Sequence, residues 1–227
     1  MAFSDWTLVF NTSGSSSAQA YNLSLPQPTG SAGSYCRLLI NNTVNGTGYS
    51  GFYPSDSAFT GVPSTKAIRI QSFMRMSAGC YISLSAKITP GVSFQNSTPP
   101  GYHLLYNSNY LTFRIGGVSN SSELDITLSS TQLLNTWYSY RMTVYPISAT
   151  VDRVICEFES SPGSGIWSSS FPAASGDIII DKTANPNRFI EWGGSTRNGV
   201  FMSPFNSNAA ILDMMKVSLA NVPVPIP

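Results

Sequence analysis

Three observations predict an all-β chain built as an antiparallel sandwich. The first is a run from Tyr110 to Trp167 in which "YLTFRI", "ELDITL", "WYSYRMTVY" and "VDRVICEFE" follow one another and end in "GIW". Apolar and polar residues alternate along these segments, and aromatic and β-branched types are common, which is the pattern of half-buried strands. The second is the chemistry between them. Pro146 in "PISAT" cannot donate to a ladder, and Gly163 and Gly165 in "SSPGSG" are free to take positive φ, so both stretches read as turns. The third is size: 227 residues and 24.4 kDa suffice for a substantial core, and a sandwich of this length is ordinarily one domain.

Residues 1–35 differ from the remainder. "SGSSSAQA" and "LPQPTGSAGS" are rich in Gly, Ser and Pro, with short apolar pieces "WTLVF" and "YNLSL" around them. This segment reads either as an edge strand with long loops or as an extended arm that orders on a partner. The sandwich is assigned to residues 36–220. It opens with "YCRLLI", and a Gly- and Asn-rich loop runs from there to about Pro63.

From Lys66 the strands become regular. "KAIRIQSFMRM" is followed by "CYISLSAKI", which is expected to turn Cys80, Ile82, Leu84, Ala86 and Ile88 inward and Tyr81, Ser83, Ser85 and Lys87 outward. "YHLLY" comes next. In "WYSYRMTVY", Tyr138, Tyr140, Met142 and Val144 share one face and Trp137, Ser139, Arg141 and Thr143 the other. In "VDRVICEFE", Val154, Cys156 and Phe158 oppose Arg153, Glu157 and Glu159. "DIIID" and "RFIEW" continue the strand pattern. "AAILDMMKVSL" fits a helix through Ile211, Met214, Met215, Ser218 and Leu219, and a strand through Ile211, Asp213, Met215, Val217 and Leu219. The alternating prolines of "VPVPIP" forbid a helix, and residues 221–227 are read as a Pro-rich C-terminal tail.

Charged residues are only 10% of the chain, against about 25% in ordinary domains, and Ser, Asn, Thr and Gly take their place. A net charge of +1 supplies no field to hold nucleic acid or an anionic membrane, so neither is an expected partner. No stretch approaches the roughly 20 apolar residues of a spanning helix, and the N-terminus lacks the basic and apolar regions of a secretory signal. Met1 is read as the start of an unsecreted chain, and the N-x-S/T sequons at Asn11, Asn22, Asn41, Asn45, Asn96 and Asn120 as chance. Cys36, Cys80 and Cys156 have no metal-ligand spacing and are odd in number, which favours buried thiols over a disulfide framework.

From Gly101 onward the segment order resembles the concanavalin A-like lectin/glucanase superfamily, laminin G-like modules included. The resemblance is carried by "GYHLLYNSNYLTFRI", "NTWYSYRMTVY", "DRVICEFESSPGSGIW" and a closing strand "AAILDMMKVSL". It implies an antiparallel jelly-roll β-sandwich with one concave face open to ligand, and it favours the strand reading of the last segment.

The glucanase branch of that superfamily hydrolyses β-glucans with carboxylates alternating along one strand, two of them about 5 Å apart. Here Glu123 and Asp125 supply two, but Thr127 or Leu128 stands where the third is required, so the general acid/base is missing. Glu157 and Glu159 form a second same-face pair with the same deficit. Asp177 and Asp181 flank three isoleucines and are weak candidates for a calcium ion, as in some laminin G-like modules. His103 is the single histidine and is expected to be a surface or satisfied strand residue. No nucleophile elbow, P-loop or dinucleotide fingerprint accompanies it. No cofactor or resident metal is expected, and the chain is read as no enzyme.

Sugar binding suits the composition better, because aromatic faces stack on sugar C–H surfaces and amide or guanidinium groups bond hydroxyls. Trp137, Trp167, Trp192, Tyr106 and Tyr110, near predicted strand ends or loops, are the candidate ligand-binding aromatics, against a background in which most such residues fill the core. The leading expectation is a non-enzymatic structural subunit of a tailed-phage virion, a head decoration or tail/baseplate component, made in the host cytoplasm. It would assemble with other virion proteins and with copies of itself. A lectin-like host-attachment module that binds a host glycan is the alternative, and a glycoside hydrolase using Glu123 and Asp125 is the third.

Overall fold

A computed structural model describes residues 6–12, 15–21, 35–41, 48–54, 66–76, 81–88, 100–106, 110–116, 124–131, 133–184, 197–203 and 209–220. Side chains are described within 66–75, 82–88, 100–106, 110–116, 124–131 and 133–184. "RFIEW", Glu123, Trp192, Cys80 and the tail 221–227 lie outside these residues.

Every regular element among the described residues is a strand. In chain order they are β1 (Trp6–Thr12), β2 (Ser15–Tyr21), β3 (Tyr35–Asn41), β4 (Gly48–Pro54), β5 (Ala67–Met76), β6 (Tyr81–Ile88), β7 (Gly101–Tyr106), β8 (Leu111–Gly116) and β9 (Leu124–Ser129). They continue with β10 (Tyr138–Pro146), β11 (Val151–Glu159), β12 (Trp167–Ser168), β13 (Asp177–Asp181), β14 (Arg197–Ser203) and β15 (Ala209–Ala220). Two antiparallel sheets result. The first runs β1-β4-β14-β6-β7-β8-β9 and the second β12-β11-β10-β5-β15-β3-β2, with β13 also paired to β11. The molecule is a jelly-roll β-sandwich.

Within residues 1–35 two described strands form. β1 pairs with β4 at the edge of the first sheet, and β2 pairs with β3 at the edge of the second. β2 arises from "SSSAQAY", within a Gly-, Ser- and Pro-rich stretch, because full backbone pairing with β3 outweighs weak strand propensity. β4 corrects the reading of a loop running to about Pro63, and β14 arises where the sequence suggested no element. Both come from Gly- or Asn-containing stretches, yet they sit inside the first sheet, with β14 between β4 and β6.

The core lies between the sheets. Leu84, Leu104, Phe113 and Tyr106 from the first sheet meet Ile70, Met142, Val144, Val154 and Cys156 from the second, all fully buried. The faces predicted for β10 and β11 hold, since Tyr140, Met142, Val144, Val154 and Cys156 all lie in this core. Gly163 and Gly165 take φ of 85° and 74°, as the turn chemistry required.

The last strand explains its own ambiguous pattern. Asp213 pairs with Phe73 and Lys216 with Gln71, so β15 spends one residue more than β5 across this interval, which is a β-bulge. Leu212 then sits opposite Met74, and Val217 and Leu219 opposite Ile70 and Ile68. A bulge shifts alternation by one position, and the resulting spacing imitates helical periodicity.

Candidate functional site

On the outer face of the first sheet, side chains that alternation turns away from the core form a cross-strand row. The register places Ser85 of β6 opposite His103 of β7, His103 opposite Arg114 of β8, and Arg114 opposite Asp125 of β9. Their strand neighbours Leu84, Ala86, Leu104, Phe113 and Ile115 point into the core, so the row must point out. The His103 Nδ1 lies 2.9 Å from the Ser85 hydroxyl, which lies 2.5 Å from the Ser83 hydroxyl. Arg114 donates from Nε and Nη2 to the two oxygens of Asp125, each at 2.6 Å. Such a fork-to-fork pair fixes both planes.

Exposure grades along the row. The Asp125 and Arg114 side chains are 44% and 25% exposed, while His103 and Ser85 are fully buried. Ser83 and Thr112, on the same outward alternation, are also buried. The expectation that Ser83, Ser85 and Lys87 face solvent is therefore corrected: the serines point away from the core, but that side of the sheet is covered at this point. Tyr110, half-buried, precedes β8 on the alternation of Thr112 and Arg114, and so belongs to the same side.

The other predicted aromatics are distributed elsewhere. Tyr106 is fully buried, with ring centroids 5.3 Å from Tyr138 and 5.8 Å from Tyr140; this core position corrects its reading as a ligand-binding residue. Trp167 lies on the outer side of the second sheet, half-buried, with the Arg141 guanidinium 4.1 Å from its ring centre. Trp137, half-buried, shares the outward alternation of Ser139 and Arg141. The sandwich thus separates both tryptophans from the polar row.

Every described carboxylate has a partner. Asp125 is held by Arg114, Glu157 by Arg141, and Asp177 by Arg153. Glu159 accepts the backbone amides of Gly163 and Gly165 at 2.7 and 2.8 Å, closing the loop after β11. Asp181 accepts the amide and hydroxyl of Thr183. Asp177 and Asp181 are therefore turned to different partners, and among the described residues no cluster of three metal-ligating side chains forms. The hydrogen bonds from Arg153 hold the Asp177 carboxyl below its ordinary range, and those from Thr183 do the same for Asp181.

A second polar cluster lies between the sheets and was missed by the sequence reading. The Lys87 Nζ is 2.6 Å from Asp152 Oδ2, the Tyr102 hydroxyl donates to that same oxygen at 2.6 Å, and the Lys182 Nζ is 3.0 Å from Oδ1. Asp152 shares the inward alternation of Val154 and Cys156, a signal legible in "VDRVICEFE". Lys87 had no such signal. Between Ser85 and Ile88, β6 spends one residue more than β14, and Lys87 adopts φ of 57°, so a bulge turns it inward.

No protein-family model and no curated protein sequence matches the chain. Among solved structures, a protein of unknown function from Shewanella oneidensis MR-1 superposes with a TM-score of 0.56 and 15% identity, over 97% of this chain and 80% of that one. Arcelin-5, a lectin-like defense protein from Phaseolus vulgaris, superposes with a TM-score of 0.51 and 10% identity, over 96% of this chain and 99% of that one. A family 7 alginate lyase follows with a TM-score of 0.47 and 11% identity, over 84% and 80%. At these identities the likeness is one of fold, and the fold is the concanavalin A-like jelly-roll sandwich.

Proposed function

We propose that the chain is a non-enzymatic glycan-binding module that takes its ligand on the outer face of the first sheet, serving as a host-attachment component of a tailed-phage virion. The observation that carries the binding reading is the partly exposed Arg114–Asp125 end of the cross-strand row. A sugar ring presents neighbouring hydroxyls that both donate and accept. The forked guanidinium–carboxylate pair, partly exposed, offers matching donors and acceptors, and the half-buried Tyr110 provides an aromatic surface on the same side. Arcelin-5, a lectin-like protein, supports the reading to the extent that this fold serves such a protein. The non-enzymatic part is supported by the carboxylates, each described one of which is bonded to a structural partner.

The test is a panel of labelled oligosaccharides, scored for retention and for cleavage in the same samples. Saturable retention without cleavage is expected, weakened about 10- to 100-fold by Arg114→Ala in a protein that keeps its thermal transition. Silence across the panel, or binding indifferent to that substitution, overturns the reading.

A second reading, a decoration or tail subunit that associates with copies of itself and other virion proteins, is favoured by apolar side chains on the second-sheet side. Ile166 is 68% exposed and Ile179 54%, apolar groups that a neighbouring subunit would cover. Sedimentation should show an oligomer that Ile166→Asp weakens. A monomer at every concentration overturns this second reading alone.

A further inference from the structure

The buried cluster around Asp152 lies apart from the glycan face and ties the two sheets together, β6 and β7 on one side and β11 on the other. The side chains of Lys87 and Asp152 are 3% and 0% exposed, and their contact is 2.6 Å. Two further groups are aimed at the same carboxyl: Tyr102 at Oδ2 and Lys182 at Oδ1. A nucleophilic amine, a carboxyl, a cation on one carboxyl oxygen and a phenol on the other are the parts of an acyl-transfer site. We propose that Lys87 and Asp152 condense into an intramolecular isopeptide bond that locks one sheet to the other.

The reaction balances without an external reagent. The Lys87 ammonium passes a proton to Asp152 Oδ2, leaving an amine and a carboxylic acid, both uncharged. The amine nitrogen attacks Cγ, and the negative charge that develops on Oδ1 faces the Lys182 ammonium. The Nζ–Cγ bond forms, the Cγ–Oδ2 bond breaks, and Oδ2 leaves as water after receiving a second proton from the nitrogen, relayed through the Tyr102 hydroxyl. One ammonium and one carboxylate thus become one amide and one water. Burial opposes the two charges that condensation removes and holds the Lys87 amine down to about 7, so much of it carries a free electron pair at neutral pH. Against the same burial, Lys87, Tyr102 and Lys182 hold the Asp152 carboxyl below its ordinary value, so its protonation is the uphill stage. Fixing both groups in contact replaces a bimolecular encounter with an intramolecular one. The φ of 57° at Lys87 is the backbone cost of bringing it there.

Intact-mass spectrometry of the full wild-type chain, folded at neutral pH and then denatured, tests the proposal without any variant. The expected mass is that of the sequence less one water, with a branched proteolytic peptide joining Lys87 to Asp152. Lys87→Arg should restore the full mass, and Tyr102→Phe should slow the loss. A wild-type mass equal to that of the sequence overturns the proposal, as does a branched peptide whose lysine is Lys182. Neither result bears on sugar retention, so this inference and the glycan reading fail separately.

Discussion

Gly176 and Cys156 approach each other more closely than any other residue at position 176 would allow. The Cys156 amide donates to the Gly176 carbonyl at 2.8 Å, and a Cβ built on Gly176 would lie 2.3 Å from the Cys156 carbonyl oxygen and 2.7 Å from the Phe171 ring. The contact seats the segment entering β13 against β11.

Gly176→Ala is therefore expected to destabilise the fold by about 1–3 kcal/mol, as a methyl forced against backbone does. A urea titration checks it. An unchanged midpoint would mean that the segment before β13 moves aside at little cost.

Cys156 itself should be chemically silent. It is fully buried, and burial, with the Glu157 charge adding to it, pushes the thiol well above its ordinary range. Its alkylation in native buffer is expected to proceed only at the rate of unfolding, measured by mass shift of the peptide carrying it. Labelling faster than unfolding would contradict the packing.

Glu159→Ala removes the acceptor of two backbone amides at once. A cost of about 1–3 kcal/mol is expected, with faster proteolysis between Ser160 and Ile166. Limited digestion followed by peptide mapping reads this directly, and an unaltered cleavage pattern would show that the loop holds without its clamp.

The Arg153–Asp177 pair sets a sign for acid stability. Because the folded carboxyl titrates below its ordinary value of 3.8, folding gains from the pair above that value and loses the gain as pH falls through the lower folded pKa. The pair is partly exposed, so the effect is about 0–1 kcal/mol. Asp177→Asn should flatten this part of the stability–pH curve below the ordinary carboxylate range, in chemical denaturation at stepped pH.

The second sheet was the more legible in sequence. β5, β10 and β11 lie next to one another and alternate cleanly, because each buries one face and keeps the other polar. The polar row on the first sheet was not seen as a unit. Ser85, His103, Arg114 and Asp125 come from four strands, and only register aligns them. Of the residues singled out for chemistry, Asp125 falls in that row and Tyr110 on its side, while Tyr106 went to the core. No property of a lone tyrosine distinguishes those two destinations.

By itself the sequence determined the all-β class, the inward and outward faces of β10 and β11, and the turn at Gly163 and Gly165. These follow from side-chain period and backbone freedom, which are local. Tertiary structure decided the membership of β2, β4 and β14, the inward turn of Lys87 and the periodicity of β15. Those depend on pairing with distant strands and on single-residue bulges, and a bulge reverses which side a residue faces without changing any residue type.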